Sequence, residues 1–281
     1  MINRKVPKTI LAVVLGIPLL LYCGVVGYYM YAESSIVYHP APASEDVEDG
    51  FKNVAERVAF ESSGHVRLVG WVIRAETPTS RWVYFLHSNS GNATSCQSYW
   101  KLFHELNVNV FVLDYRGYGE SSGTPSEQGL YDDALSGYKY LIEKQKTEKF
   151  QVVLYGYSLG SAVAVDLASR APIAGLIVEG ALSSIDARGK ELFPFLPVHF
   201  MVRNHFDSLD KIGMVTCPIL FLHAREDETA PIHHGYALYN RASAPKTFIE
   251  LEGDHGDGIE RNQQRLSDAI SDFLRNLPSG A

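Results

Sequence analysis

No charged residue interrupts the chain from Thr9 to Ala32, whereas the sequence beyond Gly50 alternates short apolar runs with longer mixed segments. A helix over Thr9–Ala32 rises about 36 Å, enough to cross a hydrocarbon core of about 30 Å with some tilt. Arg4, Lys5 and Lys8 precede the run, Tyr28, Tyr29 and Tyr31 gather at its far end, and acidic residues follow. That order predicts a single-pass signal anchor over 9–32. Residues 1–8 are expected in the cytoplasm, and the rest of the chain on the non-cytoplasmic side of the membrane, periplasm or lumen. Three alternatives compete with an uncleaved anchor. A cleaved signal peptide would need a better small-x-small site than Met30-Tyr31-Ala32. A lipoprotein built on Cys23 would have the bulky Tyr22 before it and apolar sequence beyond it, and a buried core helix would not carry such clean flanks.

Residues 33–50 change character. Pro40, Pro42 and the acidic Glu45, Asp46, Glu48 and Asp49 read as a short exposed linker, with Ile36-Val37-Tyr38 able to rest on the surface of the following domain. Residues 51–281 then form one body, long enough for a single large core. Val54–Phe60 and Val66–Ile73, joined around Ser62-Ser63-Gly64, read as an antiparallel edge hairpin. Trp82–His87, Val152–Leu154, Leu176–Glu179 and Pro218–His223 are continuous apolar runs, the signature of strands buried on both faces. Lys246–Leu251 alternates. With helical segments between, the pattern is α/β: a mostly parallel sheet with helices on both faces. A short insertion over 183–211 carries Phe193, Phe195, Leu196, Phe200, Met201 and Phe206. It is either an apolar cap over a hydrocarbon-binding pocket or ordinary packing on the sheet.

The candidate chemistry sits at strand ends. Gly156-Tyr157-Ser158-Leu159-Gly160 follows a buried strand and precedes a helix, so Ser158 is expected at the apex of a nucleophile elbow. Gly156 and Gly160, lacking side chains, let strand and helix close around it. The Leu159 backbone N–H, at the helix N-terminus, would face an oxyanion formed beside Ser158. An acid and then a histidine should follow on later loops. Asp227 lies just after the run ending at His223, although a solvated loop carboxylate would look the same. Of the histidines beyond Asp227, His233 and His234 come too soon for a separate strand, which leaves His255 in its glycine-flanked loop as the general base. The loop after Trp82–His87 should supply a second oxyanion donor, assigned to the Asn89 N–H; Asn89 and Asn92 also fit simple turn residues.

Three segments carry a family resemblance: Leu113-Asp114-Tyr115-Arg116-Gly117-Tyr118-Gly119-Glu120-Ser121-Ser122-Gly123-Thr124-Pro125-Ser126-Glu127, Gly156–Ser161, and Phe195-Leu196-Pro197 leading to Phe206-Asp207-Ser208-Leu209. From about Val54 to the terminal helix the chain resembles the bud-emergence-protein-like α/β-hydrolases. That group includes membrane-anchored serine hydrolases and is related to depalmitoylases and lysophospholipases. The resemblance implies the α/β-hydrolase fold, no cofactor, and hydrolysis of carboxylic esters or thioesters of acyl or lipid-like substrates. The chain has His87-Ser88-Asn89 where the family has His-Gly-Asn, Ala224 where a glycine is common and Ala230 where a valine is. Ser88 puts a side chain where bare backbone normally lines the oxyanion pocket. The Asp114–Glu127 segment reads as scaffold that shapes the site, with Arg116 pairing to nearby carboxylates. A peptidase on the same triad and a non-catalytic membrane-tethered scaffold remain the alternative functions.

Composition narrows the field. A net charge of −7 with dispersed acidic residues gives nucleic acid no electrostatic foothold. Cys23, Cys96 and Cys217 make no disulfide framework, and a single Cys96–Cys217 bridge stays open. No Cys or His group has metal-ligand spacing, since His233 and His234 are adjacent rather than a helical turn apart, so no metal is expected.

Overall fold

The computed structural model describes residues 8–42 and 47–278. Arg4 and Lys5, and Glu45 and Asp46 of the expected linker, lie outside the described residues. Helix α1 spans Lys8–Val37, and its Val14–Val37 portion, 24 residues with mean hydropathy 1.6, is long and apolar enough to cross a membrane. The helix runs five residues past the expected end at Ala32. The reason is local. Glu33, the first charge after the apolar run, does not meet water but accepts hydrogen bonds from the Arg203 N–H (2.7 Å) and the Asn204 N–H (2.9 Å) of the cap. Tyr38 is buried, its hydroxyl donating to Asn204 Oδ1 at 2.7 Å, and His39–Pro40 pairs in parallel with Ser90–Gly91. The first part of the segment expected as an exposed linker instead docks α1 onto the domain.

Eight strands form the main sheet: β1 (Ala55–Ser62), β2 (Val66–Ile73), β3 (Trp82–Leu86), β4 (Asn109–Asp114), β5 (Val152–Tyr157), β6 (Gly175–Glu179), β7 (Ile219–Ala224) and β8 (Lys246–Leu251). Their spatial order is β8-β7-β6-β5-β3-β4-β2-β1. Only the β1–β2 and β2–β4 pairs are antiparallel. Strands β3 to β7 are buried along their length, as their unbroken apolar runs require, save the half-buried Tyr157 at the end of β5. Alternate residues feed two cores. Tyr84 and Leu86 of β3 join one with α3 (Glu127–Glu143) and α4 (Leu159–Arg170), while Val83 and Phe85 join the other with α2 (Gln97–Glu105) and the C-terminal helix Gly258–Asn276. Cys217 belongs to the first core and Cys96 to the second, so the sheet stands between them and both are free thiols.

The expected scaffold segment is tied back into the body. The Arg116 guanidinium grips the fully buried Asp133 through Nε (3.0 Å) and Nη2 (2.7 Å), and Ser126 caps α3 by accepting from the Gly129 N–H. Chain order reverses direction across the sheet at β3, flanked by β4 and β5, and crevices for ligands open at the carboxyl ends of strands at such a point. Gly160 lies there. A Cβ on Gly160 would stand 2.0 Å from the Leu86 carbonyl oxygen, and one on Gly156 would stand 2.5 Å from Ser161 Cα. Only glycine lets β5, α4 and the end of β3 meet.

Replacing Gly160 with alanine is therefore expected to destabilise the fold by about 1–3 kcal/mol or more, because backbone must move. Gly50→Ala, with nothing within 4 Å of the added methyl, should stay within about 0.5 kcal/mol. Denaturant midpoints of the two variants check this.

Candidate active site

Three strand ends converge on Ser158. The residue sits between β5 and α4 with φ 54° and ψ −120°, a backbone conformation that costs a non-glycine residue about 1–3 kcal/mol and persists only where its surroundings over-determine it. Here the Ser158 N–H donates to the Glu179 carbonyl at 2.9 Å and its own carbonyl accepts from Ser161 N–H at 2.9 Å, while Gly156 and Gly160 let the flanking elements close in. The side chain is thereby held off the backbone. Ser158 Oγ lies 2.8 Å from His255 Nε2, and His255 Nδ1 lies 2.6 Å from Asp227 Oδ2. Asp227 follows β7 and is buried, and its other oxygen accepts from the Ala230 N–H at 2.7 Å. A carboxylate only accepts, so His255 carries its proton on Nδ1 and offers the Nε2 lone pair to the serine hydroxyl. The structure brings together all three residues singled out in the sequence.

Two neighbours of this chain escaped the sequence reading. Tyr157 stacks on the His255 ring, with centroids 5.6 Å apart, and its hydroxyl donates to the His255 carbonyl at 2.8 Å, fixing both the ring and its loop. Glu179, at the end of β6, is a buried acid whose Oε2 accepts from the hydroxyls of Tyr155 and Tyr99. Burial pushes its carboxyl above the usual range against the pull of those two donors. The only sequence signal for either was position, one immediately before the serine and one at a strand end.

Ser158, Leu159 and Asn89 line one cavity of about 410 Å³, within the range of small-molecule sites. Leu159 is the first residue of α4, so its N–H has no acceptor within the helix. The Asn89 side chain is engaged elsewhere, donating to the Val37 carbonyl at 2.8 Å. Ser88 does not line the cavity; its hydroxyl turns to Ser90, 3.2 Å from that carbonyl. Phe193, Leu196, Met201 and Phe206 of the insertion do line it, whereas Phe195 and Phe200 do not and are 89% and 82% exposed. Both readings of the insertion thus miss a third fate for its aromatics, outward exposure. Helix α1 adds Tyr29, Glu33, Ile36 and Val37 to the wall, beside Ala162, Leu182 and Thr229 of the domain. Oε1 of Glu33 has its cap donors, but Oε2 is buried with no protein hydrogen-bond donor.

Tertiary packing also assembles two His/carboxylate groups that local spacing does not reveal: Glu191 with His233 and His234, and Asp186 with His199 and His205, each with potential ligand atoms within 4.8 Å of one another. Glu191 is also paired with Arg188 at 3.1 Å. Burial raises the Glu191 carboxyl, but its hydrogen bonds to His233 and Arg188 outweigh that and bring it down to about 2. A cation entering there would have to displace a guanidinium. Neither group joins the hydrogen bonds around Ser158.

Behind the Asn89 loop lies a buried pair. His87 is fully buried, with Nδ1 donating to the Ser88 carbonyl at 2.8 Å, and Nε2, without a hydrogen-bond partner, 3.8 Å from Asp114 Oδ1. Burial lowers the His87 pKa to about 4. Burial likewise raises Asp114 to about 6, although the Ala93 N–H donates to its carboxylate at 2.6 Å. Between these values the folded pair is neutral imidazole and neutral acid.

The chain is similar to several known proteins. A family profile described as serine aminopeptidase, S33, matches residues 77–208. Alpha/beta hydrolase domain-containing protein 17C of Homo sapiens is 34% identical over 229 residues, 79% of this chain and 68% of that one. An uncharacterised protein of Escherichia coli K12, YfhR, is 30% identical over 288 residues, covering 97% of this chain and 96% of its own. The Pyrococcus furiosus esterase Pf2001 shares the fold with a TM-score of 0.72 at 17% identity, over 86% of this chain and 99% of that one.

The buried pair yields a test by pH. An unfolded histidine titrates near 6.5 and an aspartate near 3.9. His87 therefore contributes stability above pH 6.5 that is lost as pH falls towards 4, and Asp114 stability below its unfolded value that is lost as pH rises through 6. The two slopes oppose each other in the native protein. Asp114→Asn is expected to lose about 2 kcal/mol between pH 7 and 4.5 relative to wild type, and His87→Gln to gain a similar amount. Denaturant midpoints at the two pH values measure both signs.

Proposed function

The chain belongs to the α/β-hydrolase superfamily, and on that premise we propose that it is a membrane-anchored serine hydrolase cleaving carboxylic ester or thioester bonds of acyl or lipid-like substrates. The single observation behind this reading is the unbroken hydrogen-bonded chain from Ser158 through His255 to the buried Asp227, with Ser158 opening onto a largely apolar cavity. In this reading Ser158 Oγ attacks the acyl carbonyl carbon while His255 Nε2 takes the hydroxyl proton. Asp227, accepting from Nδ1, steadies the imidazolium. The carbonyl oxygen becomes an oxyanion held by the N–H groups of Leu159 and Asn89, an arrangement in which each donor is worth about 2.7–4 kcal/mol to the transition state. Collapse breaks the bond to the alcohol or thiol leaving group, which receives the proton from His255. Water then attacks the acyl-enzyme with His255 again as base, releasing the acid and restoring the Ser158 hydroxyl. Esters and thioesters are preferred to amides on family grounds alone.

The anchor is residues 9–32 of α1, with residues 1–8 cytoplasmic and the catalytic domain, 51–281 with its 183–211 cap, on the opposite side. The uncharged span and the charge order around it support this orientation.

One observation favours a second reading. A peptidase acting on amino termini needs a buried negative charge for the substrate ammonium, and Glu33 Oε2 offers an unpaired one in the cavity wall. A substrate panel containing aminoacyl arylamides beside acyl esters separates the two readings by which class is turned over.

Fluorophosphonate treatment of the full-length protein in detergent, followed by peptide mapping, is expected to give one adduct on Ser158. Ser158→Ala should abolish it. Asp227→Asn should keep the fold but lower kcat on the order of 10⁴-fold through the wrong imidazole tautomer. A folded wild-type protein that takes no label would overturn the hydrolase reading.

A further inference from the structure

The cap runs along the anchor helix. Tyr22 of α1 donates its hydroxyl to the Phe195 carbonyl at 3.0 Å, and the Tyr29 ring lies 5.0 Å from that of Phe193. Further up the helix Glu33 accepts from Arg203 and Asn204, and Tyr38 donates to Asn204. Tyr22 lies ten residues before Ala32, about 15 Å along the helix axis. If Thr9–Ala32 fills the bilayer, the cap loop beside Tyr22 cannot stay in water. Its composition fits that depth: Phe195 is 89% exposed, Phe200 82% and Leu192 54%, and the exposed face of α1 beside it is apolar too, with Leu20 at 74% and Leu21 at 67%. Phenylalanine and leucine side chains gathered on one surface beside a spanning helix mark a membrane contact.

The same contact borders the cavity. Tyr29, Ile36 and Val37 of α1 and Leu192 and Phe193 of the cap all line the space that reaches Ser158, so the cap supplies the largest part of its wall and α1 closes one side of it. A water-soluble substrate would need no transmembrane helix in that wall. The geometry points to a cap immersed in one half of the bilayer and a substrate that arrives sideways: an acyl chain of a membrane-resident lipid ester or thioester passes between α1 and the cap to present its carbonyl to Ser158. This rests on the proposed anchor and hydrolase activity, and adds the substrate's source and route. Phe195 and Phe200 lie outside the cavity wall, so their function here is contact with lipid and not with the reacting acyl group.

The test uses the full-length protein reconstituted in phosphatidylcholine vesicles. Cysteines replacing Phe195, Phe200 or Phe150 one at a time, in a chain whose Cys23 is serine and whose remaining Cys96 and Cys217 are buried, carry an environment-sensitive fluorophore. Phe150 precedes β5 at the opposite end of the sheet from the site, and is 56% exposed. Lipids with quenchers on their acyl chains should quench the label at 195 and 200 by at least twofold more than at 150. In parallel, Phe195→Glu/Phe200→Glu should hydrolyse a long-chain ester dissolved in the vesicles at least tenfold more slowly than wild type, while a water-soluble short-chain ester is cleaved at the unchanged rate. Labels at 195 and 200 quenched no more than at 150, or an unchanged rate on the vesicle-borne ester, would overturn lateral entry. The quenching arm decides cap immersion even if the double glutamate variant fails to fold. Wild type inert to both the soluble ester and fluorophosphonate would defeat the hydrolase reading instead, a result distinguishable from failure of the cap to immerse.

Discussion

The backbone of Ser158 is held in a conformation its side chain disfavours, and the rest of the site depends on the close packing that holds it there. The φ of 54° turns the chain sharply between β5 and α4. It survives because Gly156 and Gly160 bring strand, helix and the end of β3 to distances that no Cβ would permit, and because Glu179 anchors the Ser158 N–H from the next strand. The same crowding places the N-terminus of α4 and the loop from His87 to Asn89 on one cavity with the serine. Strain at one residue thus sets where the hydroxyl points, and packing of several elements supplies the free energy that maintains it.

Around that point the protein fixes side chains through partners that do not themselves touch the reaction. Asp227 holds His255 from one side while Tyr157 stacks on its ring and binds its carbonyl. Beneath the Asn89 loop, burial keeps His87 neutral down to about pH 4 and Asp114 protonated up to about pH 6, because moving an ion from water into that space costs more than shifting a proton.

Helix α1 is the unusual partner in this arrangement. A tether needs only to be apolar and long enough, but α1 continues past its uncharged span, buries Glu33 against the cap and lends residues to the cavity wall. One helix thus carries both the long apolar run and part of the cavity wall. Glu33 couples the two, since its carboxylate ties the end of the apolar run to the backbone at Arg203 and Asn204.

What the sequence determined by itself was everything encoded over short distances. Unbroken apolar runs such as Trp82–Leu86 announced strands buried on both faces, the charge-free run from Thr9 announced a long apolar helix, and the chain order of Ser158, Asp227 and His255 announced residues that the structure brings into hydrogen-bond contact. The first two signals need only neighbours within a few residues, and the third needs the strand end or motif beside each residue and their order along the chain. The tertiary structure alone decided what depends on residues far apart in the chain. Glu33 looked like the start of a solvated linker because its donors lie some 170 positions away in the cap. Ser88 turns back on Ser90 and out of the cavity, Tyr157 and Glu179 brace the histidine and the elbow, and Cys96 and Cys217 stay apart because a sheet separates them. Hydrophobic periodicity reports how a residue relates to its own strand or helix. Which partner satisfies a buried charge, and which wall an exposed helix completes, is settled only when separate elements pack.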